Sequence, residues 1–190
     1  MRPDGTPLLT GNPIVRYPQN KRLGLGVRTS LVFAAAIWSA SVHAADRNAD
    51  LKWSKDASIE CSFVAPASLG DGPKSWIGSC PGGSEAKATG IGMLRTRNGD
   101  KPGPAFYGEM RAGVPIIGVV DDGNGYQAGL FANGDIGLGD QEKQDVTDSF
   151  EFAVIAAKRV SEHYAAQKNA ASAKYYKDVA KKLDKQLDAD

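Results

Sequence analysis

The chain has 190 residues, with 23 Lys and Arg against 22 Asp and Glu for a formal net charge of +1, and only two cysteines and two histidines. A balance this close to neutral lacks the basic footprint of a nucleic-acid binder, and so few histidines and cysteines leave little for a multi-ligand metal centre. No stretch reaches the roughly 20 apolar residues that span a bilayer, which argues against a membrane-spanning chain.

In chain order, residues 1–26 carry prolines and scattered charge without an apolar period, and read as a loose extension. Val27 is an alternative start. Residues 27–44, VRTSLVFAAAIWSASVHA, form an export signal: Arg28 is the basic flank, Leu31 to Ala40 the apolar centre, and Val42 and Ala44 the small residues before the cut. The competing reading is a retained N-terminal anchor. Processing predicts a product starting at Ala45 or Asp46 in the periplasm or outside the cell. Loss of residues 1–44 removes five Lys and Arg and one Asp, leaving 18 basic against 21 acidic residues, a net charge of −3.

Cys61 and Cys80 are the only cysteines. In an oxidising compartment the leading assignment is one disulfide, the alternative being two separate buried thiols. Neither belongs to a CxxC pair, so redox catalysis has no resolving thiol nearby.

From Ser75 to Gly134 the composition turns to glycine, β-branched residues and isolated aromatics. A Gly-x-apolar-x-x-Gly register appears three times, at Gly78/Cys80/Gly83, Gly108/Met110/Gly113 and Gly129/Phe131/Gly134. Strands are predicted at residues 88–95, 106–111, 116–120 and 126–131. Asn98-Gly99, Asn124-Gly125 and Asn133-Gly134 are the turn candidates, since both residue types tolerate positive φ. An antiparallel meander follows, with Trp76, Met110 and Phe131 packing along its interior.

The segment Phe106-Tyr-Gly108-Glu109-Met110-Arg-Ala-Gly113, continuing to Gly118, resembles the MORN repeat family. Trp76-Ile-Gly78-Ser-Cys80-Pro-Gly-Gly83 and Tyr126-Gln-Ala-Gly129-Leu-Phe131-Ala-Asn-Gly134 are weaker copies. The resemblance covers residues 76–134. Cys80 and Met110 stand where the family has a second aromatic, and the KPGPA stretch through Ala105 lengthens one interval. The resemblance implies stacked hairpins serving as an interaction scaffold without a shared catalytic centre.

After the meander, Asp148 and Glu151 have capping-box spacing, and no proline or glycine follows as far as Leu187. The segment reads as a long amphipathic helix, with Val154, Ala157, Tyr164, Ala171, Tyr175, Val179, Leu183 and Leu187 on one broad face. Docking on the sheet, folding back as a hairpin around residues 167–172, and pairing with another chain all remain open. The predicted architecture is therefore α+β: residues 1–44 extension and signal, 45–146 a disulfide-braced β domain, 147–190 a helical segment.

Acidic residues crowd residues 135–151, but without the ligand spacing of a calcium loop. His163 alone survives export, within a helix, and no Gly-x-Ser-x-Gly is present. No cofactor or metal is expected. The preferred reading is an exported structural or interaction module for an envelope protein partner. Its contacts would be Trp76, Phe106, Tyr107 and Tyr126 on the sheet and Lys177, Lys181 and Lys182 on the arm, the lysines also suiting an anionic surface. The alternative is a cell-wall glycan binder or a small glycoside hydrolase using Glu109 with Asp121 or Asp122. Oligomeric state is left open.

Overall fold

The computed structural model describes residues 51–188 except 57, 84, 99, 100 and 138–140, so the export signal expected at residues 27–44 lies outside the described residues. The alternation of apolar and small residues after Ser75 folds as an antiparallel sheet in strict sequence order, β3 to β8. Its strands are β3 (Lys74–Ser79), β4 (Thr89–Asn98), β5 (Lys101–Arg111), β6 (Val114–Asp121), β7 (Tyr126–Ala132) and β8 (Asp135–Ile136). Before them a short hairpin pairs β1 (Trp53–Lys55) with β2 (Ser62–Val64).

The four predicted strands are present, and the meander with them. They run longer than expected: β5 passes through Pro102 and Pro104, read from sequence as part of an interval between strands. A register shift between Arg95 and Arg97 accommodates that proline-bearing end. Asn133 and Gly134 both take positive φ, as a two-residue hairpin turn requires. An unforeseen turn of the same kind joins β5 to β6 at Ala112-Gly113, with φ of 48° and 85°. The Asn98-Gly99 turn falls partly outside the described residues, although Asn98 pairs with Lys101 across it.

The central feature is a row of glycines crossing the sheet. Gly92 pairs with Gly108, Gly108 with Gly118, and Gly118 with Gly129. Without Cβ atoms the backbones approach closely, and aromatic rings fill the space. The Trp76 ring lies over Gly78 and Gly92, and the Phe106 ring over Gly108 and Gly118. An aromatic and a glycine two residues apart share one face of a strand, which is the physical content of the repeated pattern.

The sheet has two buried faces. One carries Trp76, Leu94, Phe106, Met110 and Val120, covered by Cys61, Phe63 and Leu69 from the preceding segment. That cover is fixed by backbone bonds from Val64 N–H to Gly113 O (2.7 Å), Ser62 N–H to Ala86 O (2.8 Å) and Ala88 N–H to Ser62 O (3.0 Å). Buried Asp56 adds to it, accepting the Trp76 backbone N–H at 2.8 Å. The disulfide between Cys61 and Cys80 ties the same segment to the end of β3.

The opposite face carries Met93, Ala105, Tyr107 and Val119 under a helical hairpin, α1 (Lys143–Ala166) and α2 (Ala170–Leu187). Helix α1 lies across β4 to β7, and α2 packs back on α1. Of the arrangements left open, the chain adopts two together, docking on the sheet and the fold-back. Lys168 takes φ +59°, and the Asn169 N–H bonds the Tyr164 carbonyl at 2.9 Å, so α1 closes with a left-handed residue that is not glycine. The predicted face holds at Val154, Ala157, Val179 and Leu183, which are buried, and is corrected at Ala171 and Tyr175, which are exposed; in α2 the buried positions are Tyr176, Val179, Ala180 and Leu183.

The capping box at Asp148 and Glu151 is also corrected. Helix α1 begins at Lys143, so both residues lie inside it, and Asp148 accepts from Gln144 Nε2 at 2.6 Å. The side-chain cap of the hairpin is Asn169, whose Oδ1 accepts from Ser172 N–H at 3.1 Å. Asn169→Ala is expected to cost about 1 kcal/mol and Asp148→Ala less than about 0.5 kcal/mol, measured by urea unfolding. Equal losses would contradict this placement of the cap. No helix among the described residues is long and apolar enough to cross a membrane.

Candidate functional site

Three of the four aromatics expected at a contact surface are core residues. Trp76 is 3% exposed and Phe106 and Tyr107 are fully buried, because the preceding segment covers one face of the sheet at these positions and the helices the other. Trp76 Nε1 donates to Ser79 O at 3.0 Å, and Phe106 meets Phe131 edge-on at 5.1 Å. Tyr126 is half-buried, edge-on to Phe150 at 6.0 Å. Lys177, Lys181 and Lys182 are exposed on α2, with Lys181 Nζ 3.8 Å from Asp178.

The carboxylate pair of the hydrolase alternative is also apart. Glu109 pairs in register with Ile117, whereas Asp121 pairs with Ala105, four residues along the ladder. That separates them by about 13 Å along the strands, beyond the carboxyl spacing of about 5–9.5 Å that glycoside hydrolysis uses. Glu109 instead meets Arg111 at 3.2 Å. His163 is exposed, 2.9 Å from Gln167 Nε2. Among the described residues no cluster of His, Cys, Asp and Glu is placed to hold a metal ion.

The structure draws attention to a residue the sequence left unmarked. Arg95, on the helix-facing side of β4, is 8% exposed and has no ion-pair partner among the described residues. Its guanidinium donates through Nη1 to the Tyr176 hydroxyl at 2.7 Å and through Nη2 to the Tyr107 hydroxyl at 3.2 Å. It also lies over the Tyr175 and Tyr176 rings, 5.6 and 5.2 Å from their centroids. The buried Nε finds no acceptor.

A guanidinium taken out of water without a counter-charge costs several kcal/mol. Hydroxyl dipoles and ring faces offset part of that cost and keep the group charged. Burial opposes its charge, the neighbouring Tyr107, Tyr176 and Tyr175 favour it, and the pKa lies above the ordinary arginine value.

The tyrosines respond in turn. Burial raises the Tyr107 pKa far above the usual phenol range, against the downward pull of Arg95. Burial likewise pushes Tyr176 up to about 12, again opposed by Arg95, with Tyr164 and Tyr175 adding to the rise. Both hydroxyls hold their proton more tightly folded than unfolded, where tyrosine ionises near pH 10. The stability they contribute is complete below about pH 10 and is lost as pH climbs toward 12.

Melting temperature should therefore fall over that window. Tyr176→Phe should lose about 2 kcal/mol at neutral pH, by removing an acceptor from a buried charge, and should flatten the alkaline decline. Unfolding curves from pH 8 to 12 would show it; an unchanged slope in the variant would count against the assignment.

Arg95 and Tyr175 open on a cavity of about 270 Å³ whose other walls include Gly103, Pro104, Asp121 and Asp122. Asp121 accepts from Gly123 N–H at 2.9 Å, and Asp122 from Asn124 and Gly125 N–H at 2.7 and 3.0 Å. In each case the bonds go to one oxygen. The other oxygen has no donor among the described residues.

Alternation carried a trace of the site, since Arg95 falls in phase with Met93 on the face that an amphipathic helix must cover. Nothing in the local pattern linked it to Tyr176, 81 residues on. No protein-family model, curated protein or solved structure matches this chain.

Proposed function

We propose that this is an exported, disulfide-braced binding module whose working site is the Arg95 cavity, taking a ligand with an anionic group. The observation that carries this reading is a buried guanidinium, held by tyrosine hydroxyls, with an orphan Nε and no carboxylate partner among the described residues, on the wall of a cavity. Binding sites are where such uncompensated charge recurs, because a ligand supplies the missing partner. Export is supported by the basic, apolar and small-residue succession of residues 27–44 and by a disulfide that persists in oxidising compartments.

We also read residues 76–134 as degenerate MORN-type repeats. Support comes from the rings of Trp76 and Phe106 lying over the glycines two residues on.

Titrating the purified protein with acetate, butyrate and benzoate tests the reading. A carboxylate is expected to raise the melting temperature, and Arg95→Gln to abolish the effect while Arg111→Gln, at the exposed far end of β5, keeps it. If Arg95→Gln fails to fold, the Arg95 Nε–H resonance of the native protein should move on titration instead. No response from any carboxylate, those that also carry an ammonium included, would reject the proposal.

A second reading, glycan binding, rests on Trp53, which is 38% exposed in a shallow groove beside Lys87 and Glu85. Quenching of Trp53 fluorescence by soluble wall-glycan fragments would favour it.

A further inference from the structure

We infer that the Arg95 cavity accepts a small zwitterion, an amino-acid-like molecule with its carboxylate on Arg95 and its ammonium on Asp121 and Asp122. This rests on the anion-binding reading above and adds the second charge.

The sheet register places the charges. Arg95 pairs with Ala105, and Ala105 with Asp121, so one straight row across β4, β5 and β6 runs Arg95, Ala105, Asp121. Asp121 pairs in turn with Tyr126 on β7. Successive members of a row share one face, and two interstrand spacings set the Arg95 and Asp121 backbones about 10 Å apart. The residue between them is alanine, too short to bridge the two charges, and the backbone of β5 at Gly103 and Pro104 lines the cavity beside it.

Arg95 and Asp121 thus face one cavity without meeting. The guanidinium is held by Tyr107 of β5 and Tyr176 of α2, and Asp121 and Asp122 accept from the loop after β6, each with one oxygen unused among the described residues.

Each single-charge ligand is penalised by one wall. A bare carboxylate satisfies Arg95 but faces Asp121 and Asp122 across a cavity of about 270 Å³. A bare amine or a metal cation satisfies the aspartates but faces a permanently charged guanidinium. A molecule with both groups satisfies both ends, and like charges placed against the wrong wall disfavour the reverse orientation.

The test compares three probes of one carbon skeleton: butyrate, butylamine and γ-aminobutyrate, with glycine and 6-aminohexanoate bracketing the charge separation. Calorimetric titration of the native protein should show γ-aminobutyrate or one of its length variants binding at least about tenfold tighter than butyrate, and butylamine not binding.

Asp121→Asn retains an oxygen for Gly123 N–H. It should weaken the zwitterion about tenfold and tighten butyrate, since a negative wall charge has gone. If butyrate binds as tightly as every zwitterion, the inference fails and the anion reading stands. If no probe binds, both fail. Zwitterion binding that Asp121→Asn and Asp122→Asn both leave unchanged would also overturn the placement of the ammonium.

Discussion

Gly108→Ala is expected to destabilise the fold by about 3 kcal/mol or more, leaving little native protein, while Gly82→Ala stays within about 0.5 kcal/mol of the parent. A Cβ on Gly108 would intrude on the carbonyl oxygen of Ile117, stand 2.8 Å from Gly118 Cα and press on the Phe106 ring at 2.7 Å. Two of those neighbours are backbone of the paired strand, so no rotamer change makes room. The only relief is to separate β5 from β6, which breaks their ladder in the middle of the sheet.

Phe106 cannot retreat either, being fully buried and in contact with Phe131 on its own face. At Gly82 nothing lies within 4 Å of a new Cβ and φ is not positive, so the control carries neither clash nor strain. Urea unfolding followed by circular dichroism measures both variants. A loss under about 1 kcal/mol at Gly108 would mean the strands separate cheaply, and the glycine row would lose its structural meaning.

The same row explains what could be read from sequence. The Gly-x-apolar-x-x-Gly register has a positional meaning at each place: Gly108 and Gly129 enter the row, Cys80, Met110 and Phe131 enter one core face, and Gly113 and Gly134 take positive φ at hairpin turns. Local chemistry dictates all three roles, so the meander was legible from short patterns. Trp76 and Phe106 were legible as aromatics but misplaced as surface contacts. A ring that covers a glycine two residues away turns into its own sheet, and the cover over that face comes from β2 and the 3-10 turn at Ala67–Leu69, which carry no strong strand signal.

The helical hairpin was harder to read. Its corner uses Lys168 in a left-handed conformation and Asn169 as cap, so the glycine or proline that ordinarily announces a helix end is missing. The fold-back at residues 167–172 is one of several readings such an unmarked corner allows, and the apolar face read through it holds at Val179 and Leu183 but takes in Tyr175 and leaves out Tyr176. Leaving Tyr176 off that face hid the candidate site, because its hydroxyl takes a hydrogen bond from Arg95 while the Tyr175 ring lies beside the guanidinium. Long-range partners chosen by tertiary docking leave no periodic trace in either segment. From sequence the carboxylates of the site read as a turn or as members of a catalytic pair with Glu109, and their register does not support the pair.

Breaking the Cys61–Cys80 bond, by reduction or by paired substitution with alanine, is expected to lower stability by about 3 kcal/mol. The bond closes a loop of 20 residues counting both ends, and the constraint it places on the unfolded chain has that magnitude in the loop-entropy account. The native side of the balance points the same way. Cys61 is fully buried among Phe63, Leu69 and Ala88, so the bond anchors the segment that covers one whole face of the sheet to β3, at an end where the β3–β4 register is already irregular.

Without that anchor, the cover depends on the Asp56 bond to Trp76 N–H, the Thr96 hydroxyl on the Leu69 carbonyl and the backbone bonds of Ser62 and Val64. The loss should therefore appear first as exposure of Trp76 and only afterwards as melting of α1 and α2, which pack on the opposite face. Tryptophan fluorescence and far-ultraviolet circular dichroism, followed together through thermal unfolding in reductant, separate the two events. If the transitions coincide and shift by only a degree or two, the disulfide merely decorates a core that the glycine row and its rings hold by themselves.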